Sequence, residues 1–387
     1  MELIYDSITL IASGLLLLLS LLTSFCSGFF RCPVKSLKNS EVDGEKHTGK
    51  EPRISVVFNI EGDSDALRRN LPAYLQQDYA GGYDIIVVIR KGDSEVEDVM
   101  APYENNPKVY CTYVPDSSRY MSKPKLAVTL ASKASKSDWL LLADICSVPA
   151  SEKWLSTMTS RITDGIDMVL GYSQYDSSMS SFRRFFHIHT ISYLIREYFK
   201  GTPYRAISKN LLFKKSMFMD RDGYRGNLKY IGGEYDFLVN KYATGDNTTF
   251  VFERDAWLLT EPPTDKIWRN GILFYQENRK HMNRSMRHRL PYVVDQCALH
   301  LNYLLIVGVA VFACITNNWI MLSASILALI MTIAIRTIIG TRFARAMDEQ
   351  IKSWQIVPYE LVTLWYNIHY RLKYIHSDKY DFISHKI

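Results

Sequence analysis

One acidic residue stands directly after a buried strand. Residues 139–143 form an uninterrupted apolar run, which is typical of a strand covered on both faces, and Asp144 follows at once. Ligand sites of open α/β sheets lie at the carboxyl ends of their strands, so a carboxylate here is well placed to hold a metal-bound phosphate. The alternative is that Asp144 only caps the following turn.

Strands and helices alternate along the segment that leads to Asp144. Apolar patterns predict strands at 54–58, 83–89, 109–114 and 139–143, and helices at 66–75, 95–103 and 125–135. This alternation predicts a mostly parallel sheet with right-handed crossovers, in a protein of the α/β class.

The motif around Asp144 resembles the nucleotide-sugar-binding core of family-2 glycosyltransferases, especially the membrane-anchored type common in Bacteroidetes. In that family a Lys on a helix is followed by an apolar strand, Asp-x-Asp, a Pro and a Trp. The matching residues here are Lys125, the strand, Asp144-Ile145-Cys146, Pro149 and Trp154. The resemblance implies a GT-A fold with a Rossmann-like mixed sheet over residues 53–288. It also shows a departure, because Cys146 replaces the second Asp.

The resemblance implies a nucleotide-sugar donor whose diphosphate is bound together with a divalent metal, Mg2+ or Mn2+, held by Asp144. Cys146 is a poor substitute ligand, since both metals prefer hard oxygen donors. The other implied donor-binding residues are Asp63, Arg90 and Lys125. Arg90 stands where the family has an Asp, which reverses the charge. Lys125 either reaches a phosphate or is a solvated helix charge.

Residues 232–238, GGEYDFL, resemble the family motif Gly-(Glu/Asp)-Asp, which opens a helix and carries the general base. An inverting transfer needs a carboxylate that deprotonates the acceptor hydroxyl. Tyr235 aligns with the base itself, so the resemblance implies a catalytic role for Glu234, which we prefer, or for Asp236. The alternative is that both are helix N-terminal charges favoured by the dipole.

Residues 276–280, QENRK, resemble the family motif Gln-x-x-Arg-Trp, with Lys280 in place of the aromatic residue. In the family this segment lies near the acceptor and the leaving diphosphate, which implies donor contacts by Gln276 and Arg279. An arginine there can neutralise phosphate charge as the sugar departs. The alternative is that Arg279 belongs to the positive charge that flanks a membrane segment.

Apolar segments frame the central domain. Residues 8–30 carry no charge and are long enough to cross a bilayer, and a second apolar zone from 299 to 335 is divided by Asn317 and Asn318 into two short spans. We expect an anchor at 1–31, a flexible linker at 32–52, a membrane hairpin at 296–340 and an amphipathic tail at 341–387. The alternatives are a buried soluble helix pair at 299–335 and a tail packed on the soluble domain.

The charge distribution favours a membrane surface over nucleic acid. The chain has 46 Lys and Arg against 40 Asp and Glu, a formal charge of +6, and no nucleic-acid-binding motif. The positive excess lies beside the apolar segments, whereas the N-terminus and the turn at Asn317 have no Lys or Arg. The positive-inside rule therefore predicts a multi-pass protein of the bacterial inner membrane with its catalytic domain in the cytoplasm.

Two functions remain open from the sequence. The first is a membrane-bound, inverting glycosyltransferase that moves a sugar from a nucleotide-sugar donor to a lipid-linked or envelope-glycan acceptor. The second is a catalytically inactive scaffold or binding subunit of a glycan-assembly system. The altered metal and base motifs do not decide between these two functions. A measurement of donor turnover separates them.

Overall fold

The computed structural model describes residues 6–33, 51–115 and 121–384. Most of the predicted linker at 32–52 lies outside these residues. The chain divides into two compact units. The first, the helical unit, contains residues 6–33, Ser180–Arg196 and Arg284–His369; the second, the α/β unit, contains 51–115, 121–179, Glu197–Asn283 and 370–384. Ser180–Arg196 therefore groups with the apolar helices, although it lies within the predicted domain at 53–288.

A seven-stranded sheet organises the α/β unit. Its strands are β1 Ile54–Asn59, β2 Tyr83–Arg90, β3 Val109–Val114, β4 Trp139–Ala143, β6 Met168–Leu170, β8 Asn210–Lys214 and β9 Thr248–Phe250. The order is β3-β2-β1-β4-β8-β6-β9. The first four strands are parallel, β8 is antiparallel to both β4 and β6, and β6 is parallel to β9. The four predicted strands and the mostly parallel arrangement are confirmed.

The helices between the first strands are those that the apolar spacing predicts. They are Ser64–Leu75, Ser94–Met100 with a 3-10 turn at Ala101–Tyr103, and Lys123–Ala134. Leu67 and Leu71 pack against the sheet from one helix face, and Val56, Ile85 and Leu141 of the three central strands are fully buried. Burial on both sides explains why these strands are apolar without alternation.

A three-stranded sheet and several helices complete the α/β unit beyond the end of β4. The small sheet contains β5 Ser147–Pro149, β10 Leu258–Thr260 and β7 Ser173–Tyr175 in the order β5-β10-β7. The helices are Trp154–Thr159, Lys215–Met219, Glu234–Tyr242 and Asp265–Asn278. β10 is antiparallel to β5, which starts three residues after Asp144, so the small sheet fixes the chain that leaves β4.

Three helices of the helical unit are long and apolar enough to cross a membrane: Ser7–Ser24, Met286–Ile315 and Trp319–Ala346. The predicted N-terminal apolar helix is confirmed, and the bounds 1–31 of the anchor stay a prediction. The helix ends at Ser24, and a separate short helix, Gly28–Arg31, follows. Close packing requires glycine at the start of the short helix, since a Cβ at Gly28 would lie 2.5 Å from the Tyr193 ring.

The hairpin turns where the sequence predicts, because Asn318 caps the second helix by accepting a hydrogen bond from the Met321 backbone at 3.1 Å. The two helices are much longer than the apolar zone at 299–335 and take in Asp295 and Arg336. Asp295 and Arg336 are buried among the helices because their charges are paired. The Arg336 guanidinium contacts Asp295 and Glu360, each at 3.0 Å. We call these three residues the closed ion cluster.

Two further α-helices are Ser181–Phe199 and Ile356–Ile375. The second of these belongs to the predicted amphipathic tail. Five large apolar side chains at helical spacing are exposed on it: Val362, Trp365, Ile368, Leu372 and Ile375. The tail therefore carries an apolar stripe that the described residues leave uncovered.

Candidate active site

The antiparallel pairing of β4 and β8 brings a lysine to Asp144. Ala143, the last residue of β4, pairs with Asn210, the first residue of β8. Asp144, directly after β4, and Lys209, directly before β8, therefore lie side by side where β4 ends. There the Lys209 ammonium is 2.5 Å from the Asp144 carboxylate. Sequence analysis did not find Lys209, because only this register makes it a neighbour of Asp144.

The backbone that carries Lys209 is tightly held. The Asn210 amide donates to the carbonyls of Ala256, at 2.8 Å, and Tyr172, at 3.2 Å. Gly171 packs so closely on Asn210 that a Cβ there would lie 2.4 Å from the amide nitrogen. The Ser208 hydroxyl donates to the Gly171 carbonyl at 2.8 Å. Lys209 thus extends from a rigid strand end, although 58% of its side chain is exposed.

Lys209 controls the charge state of Asp144. Burial alone would raise the pKa of Asp144, but the Lys209 ammonium and the hydrogen bonds from Cys146 together outweigh burial, and the pKa is lowered. The pKa of Lys209 is raised in turn, first by Asp144. Asp144 also accepts a hydrogen bond from the Cys146 backbone at 3.1 Å, so it caps its own turn as well as binding the lysine. The interpretation of Asp144 as a cap of the following turn therefore agrees with its position.

The residues around Asp144 do not fit a resident divalent metal. Mg2+ and Mn2+ need several hard oxygen ligands, but the nearest partner of Asp144 is an ammonium ion. Burial, together with the charges of Asp144 and Asp63, raises the pKa of the Cys146 thiol to about 12, which opposes the thiolate form. Within 6–33, 51–115 and 121–384, no three His, Cys, Asp or Glu side chains are grouped so as to hold a metal ion.

A cleft of about 360 Å3 lies at the carboxyl ends of β1, β2 and β3. Its lining includes Glu61, Gly62, Arg90, Asp93 and Lys123. Asp63 begins the helix after β1 and interacts with Asp144, Lys209 and Cys146; its pKa is raised by burial and then by Asp144. The loop after β1 therefore connects the cleft, which contains Arg90, to the Asp144–Lys209 pair.

Glu234 begins a helix beside this pair and has a free carboxylate oxygen. Gly233 caps the helix with φ of 75°, a conformation that favours glycine, and a Cβ there would lie 2.7 Å from the Asn278 amide. Oε2 of Glu234 is buried and has no hydrogen-bond partner among the described residues. Burial raises the pKa of Glu234, and Lys209 and Lys125 lower it by smaller amounts. This carboxylate is chemically suited to accept a proton.

Asp236, the other base candidate, is already neutralised. Its carboxylate accepts a hydrogen bond from Arg205 at 2.9 Å, and the Arg205 guanidinium stacks over the Tyr275 ring at 3.8 Å. Burial raises the pKa of Asp236 and Arg205 opposes that effect. A carboxylate held by an arginine is a weaker base than a free one. The geometry therefore favours Glu234 over Asp236.

Lys125 is fully buried, so the interpretation as a solvated helix charge is wrong. Its ammonium donates to the carbonyls of Asn227, at 2.9 Å, and Tyr230, at 2.7 Å, and lies over the Phe237 ring at 4.4 Å. Burial lowers its pKa to about 8. Two of its three donors thus hold the loop that leads into Gly233 and Glu234. This geometry supports a positioning role, and phosphate binding by Lys125 has no support from it.

Gln276 and Arg279 lie at the end of the Asp265–Asn278 helix. Gln276 is buried, and its amide oxygen has no hydrogen-bond partner among the described residues. Arg279 ends the helix and is half-buried. Between them, the Asn278 amide donates to the Ile231 carbonyl at 3.1 Å. This segment therefore supports the loop before Glu234, and the donor contacts of Gln276 and Arg279 stay predictions.

The end of the chain also supports that loop. The Ile231 backbone donates to the Phe382 carbonyl at 3.0 Å, and the Ser384 backbone donates to the Lys229 carbonyl at 2.8 Å. Phe382 packs with Leu273 and Tyr374 in a small apolar cluster. Residues 382–384 of the predicted tail therefore pack within the α/β unit.

Comparisons with known proteins identify the fold of this chain. The model of glycosyl transferase family 21 matches residues 16–181, less than half of the chain. The structure of the mannosyltransferase PcManGT from Pyrobaculum calidifontis in complex with GDP-Man and Mn2+ is similar, with a TM-score of 0.56 and 11% identity. That alignment covers 91% of this chain and 99% of PcManGT. Among curated proteins no relative matches.

A second structure, S. aureus TarS 1–349, aligns with a TM-score of 0.42 and 12% identity, covering 83% of this chain and 92% of TarS. This similarity is too low to carry an argument. The similarity to PcManGT establishes the fold: the α/β unit is of the GT-A glycosyltransferase type, accompanied by one N-terminal and two C-terminal apolar helices. The predicted fold class is confirmed. The matching family model is that of family 21, and membership of family 2 stays a prediction.

The structure brings most of the predicted site residues to one unit but not to one point. Asp63, Asp144 and Glu234 form a cluster with Lys209, and Arg90 lies in the adjoining cleft. Asp236 and Lys125 are held by partners that the sequence motifs do not include. Arg205, like Lys209, lies outside the motifs that the sequence indicated.

Proposed function

We propose that this chain is a membrane-bound glycosyltransferase that moves a sugar from a nucleotide-sugar donor to a lipid-linked or envelope-glycan acceptor, with inversion at the anomeric carbon. One observation carries the proposal. One carboxylate oxygen of Glu234 is buried without a hydrogen-bond partner among the described residues, and the carboxylate interacts with Lys209, the partner of Asp144, at the end of a GT-A-type sheet. Such a transfer needs one group that accepts a proton and one charged group that binds phosphate.

In the proposed reaction the acceptor oxygen attacks the anomeric carbon of the donor sugar. The bond between that carbon and the phosphate oxygen breaks, and the nucleoside diphosphate leaves with the electron pair. The acceptor hydroxyl gives its proton to Glu234, which later releases it to solvent. Asp236, neutralised by Arg205, positions the first turn of the helix and does not take the proton.

The proposed donor lies across the cleft and the cluster. Arg90 and Lys123 supply positive charge in the cleft, and Asp63 lies between the cleft and Asp144. The complex of PcManGT with GDP-Man supports a nucleotide-sugar donor for a chain of this fold. Gln276 and Arg279 stay predicted contacts of the acceptor side and of the leaving diphosphate. The sequence gives no support for nucleic acid as a partner of this protein.

We further propose that the catalytic domain works at the cytoplasmic face of a bacterial inner membrane. Three membrane-compatible helices and the positive charge beside them support this orientation. The exposed apolar stripe on the Ile356–Ile375 helix supports contact with membrane lipids. Membership of family 2 and a Bacteroidetes-type anchor belong to the same proposal.

A divalent metal held by Asp144, Mg2+ or Mn2+, is the cofactor that the motif resemblance implies. The Mn2+ in the PcManGT complex supports such a metal for this fold. The residues around Asp144 do not fit it, because Lys209 already neutralises the carboxylate and Cys146 is a protonated thiol. No step of the proposed reaction therefore uses a metal.

The test begins with binding. Full-length protein in detergent is titrated with UDP and GDP by calorimetry, and the nucleotide that binds selects the sugar donors for a transfer assay with membrane lipid extracts as acceptors. Nucleotide binding followed by release of nucleoside diphosphate and labelling of lipid supports the proposal. Absence of binding to either nucleotide, in protein with a cooperative unfolding transition, contradicts it.

A second candidate is a catalytically inactive binding subunit of a glycan-assembly system. The observation that favours it is the replacement of the second motif Asp by Cys146, together with the pairing of Asp144 to Lys209. This candidate predicts nucleotide or glycan binding without turnover. It also predicts that Glu234→Gln changes the local stability of the protein and leaves its binding of nucleotide or glycan the same.

A further inference from the structure

The pairing of Lys209 with Asp144 suggests how the site handles the charge of a diphosphate. A nucleoside diphosphate gains negative charge as the sugar bond breaks, and a transferase must place a cation there. Metal-dependent sites meet this need with a divalent ion held by carboxylates. In this chain the ammonium of Lys209 lies 2.5 Å from Asp144, in the place of an ion bound to that carboxylate.

We propose that Lys209 binds the donor's diphosphate directly and that transfer by this protein does not depend on a divalent metal. The inference rests on the proposed function, since it needs a nucleotide-sugar donor. In the step described above, Lys209 keeps its protons throughout and stabilises the oxygen that leaves with the electron pair.

Lys209 has the donors and the access that this role requires. Asp144 is the one hydrogen-bond partner that the described residues provide for its ammonium, so two of three N–H donors remain for phosphate oxygens. More than half of its side chain is exposed, so a ligand reaches it without rearrangement. Lys125, by contrast, is completely buried, with its donors directed at backbone carbonyls.

The register of the sheet gives Lys209 a fixed origin. Its neighbour Asn210 is hydrogen-bonded twice to backbone carbonyls and packed against Gly171. Asp144 then orients the ammonium, so the cation is placed before the donor binds. Such preorganisation is what makes a fixed charge effective in a catalytic site, because little reorganisation is needed during reaction.

The charges of the neighbouring residues agree with this role. Asp63, Asp144 and Glu234 surround Lys209, and an added diphosphate would be repelled if these carboxylates had no compensating cation. Arg90 and Lys123 in the cleft bring further positive charge for the nucleotide side of the donor. The reversal from the family's Asp to Arg90 is thus consistent with a site that binds phosphate through side-chain cations.

The experiment compares nucleotide binding and sugar transfer in excess EDTA and in Mg2+ or Mn2+. Full-length wild-type protein is measured beside Lys209→Met, which removes the charge, and Lys209→Arg, which keeps it. The matched control is Lys214→Met, at the opposite end of β8, where Lys214 is similarly exposed and pairs with Asp167 at 3.7 Å. Thermal unfolding shows that each variant is folded.

We expect wild-type binding and transfer to be the same in EDTA and in metal. Lys209→Met should weaken binding of UDP or GDP by roughly 10- to 100-fold, the range for loss of a charge-assisted hydrogen bond, while Lys209→Arg keeps most of it. Lys214→Met should match the wild type. Loss of wild-type activity in EDTA with recovery in Mn2+, or unchanged nucleotide affinity in folded Lys209→Met, overturns the inference alone. Absence of nucleotide binding by the wild type in both buffers overturns the proposed function and, with it, the inference.

Discussion

Two charged clusters of this molecule contain the same kinds of residues but differ in how they are completed. In the helical unit, Arg336 is 1% exposed and is bound by both Asp295 and Glu360. Tyr193 donates to Asp295 at 2.6 Å, and Ser27 donates to Glu360 at 3.3 Å. In the α/β unit, the Lys209 ammonium has one hydrogen-bond partner among the described residues, and more than half of its side chain is exposed. Glu234 has a buried carboxylate oxygen with no hydrogen-bond partner among these residues.

This comparison distinguishes a structural ion cluster from a functional site. A cluster whose charges are all paired and buried has no donor or acceptor left for a ligand, and its function is to hold helices together. A cluster with a free carboxylate oxygen and free ammonium donors can still form hydrogen bonds with a ligand. Perturbed, incompletely satisfied charges at the edge of an α/β sheet are therefore the better candidates for chemistry.

The largest expected effect comes from removing the free carboxylate. Glu234→Gln should lower the turnover number by about 10²- to 10⁴-fold, the range for loss of a general base, with nucleotide affinity unchanged. The measurement is steady-state transfer beside calorimetric binding. Asp236→Asn is the comparison variant: a fall in turnover larger than that of Glu234→Gln would assign the base to Asp236.

The next effect breaks the closed ion cluster. Arg336→Met leaves the carboxylates of Asp295 and Glu360 buried without their cation, which should lower the free energy of unfolding by about 3–5 kcal/mol. Denaturant unfolding in detergent measures the change. Arg342→Met, in the same helix but exposed, is the control and should stay close to the wild type. Equal stability of the two variants would show that the cluster does not hold the helices.

A smaller effect tests whether Lys125 positions the loop before Glu234. Lys125→Met removes the donors to the carbonyls of Asn227 and Tyr230, so we expect a loss of about 1–3 kcal/mol in unfolding free energy. The turnover number should fall while the KM for the donor stays the same. Lys133→Met, exposed on the same helix, controls for loss of charge. A raised donor KM with unchanged stability would restore the phosphate-binding interpretation.

The smallest effect concerns pH. Burial raises the pKa of Glu234 above its usual 4.5, so activity should fall as pH decreases through that raised pKa, where the base becomes protonated. The same shift acts on stability with the opposite sign: the folded state binds the proton more tightly, so this contribution is present at low pH and is lost as pH rises through the raised pKa. Pairs of pH profiles for activity and for unfolding measure both trends. In Glu234→Gln both should disappear, and their persistence there would attribute them to another group.

Local sequence patterns predicted the elements of the sheet well. The apolar runs of β1 to β4 gave strands within two residues of their observed ends, and the motif residues Asp144 and Glu234 lie at an edge and a helix start, as expected. The three apolar helices were predicted in number and place. The sequence did not indicate the turn between Ser24 and Gly28 or the packing of Gly28 on Tyr193, a residue far away in sequence.

The sequence by itself determined which strands are buried, where the chain alternates between strand and helix, and which segments are apolar enough for a membrane, because these depend on side chains a few positions apart. Only the tertiary structure decided the roles of the charges. Lys209 meets Asp144 through an antiparallel register, Arg205 neutralises Asp236, and Lys125 is buried under a loop more than a hundred residues later. Partners set by strand order and loop closure leave no local pattern, and the chemistry of a charged residue depends on its partners.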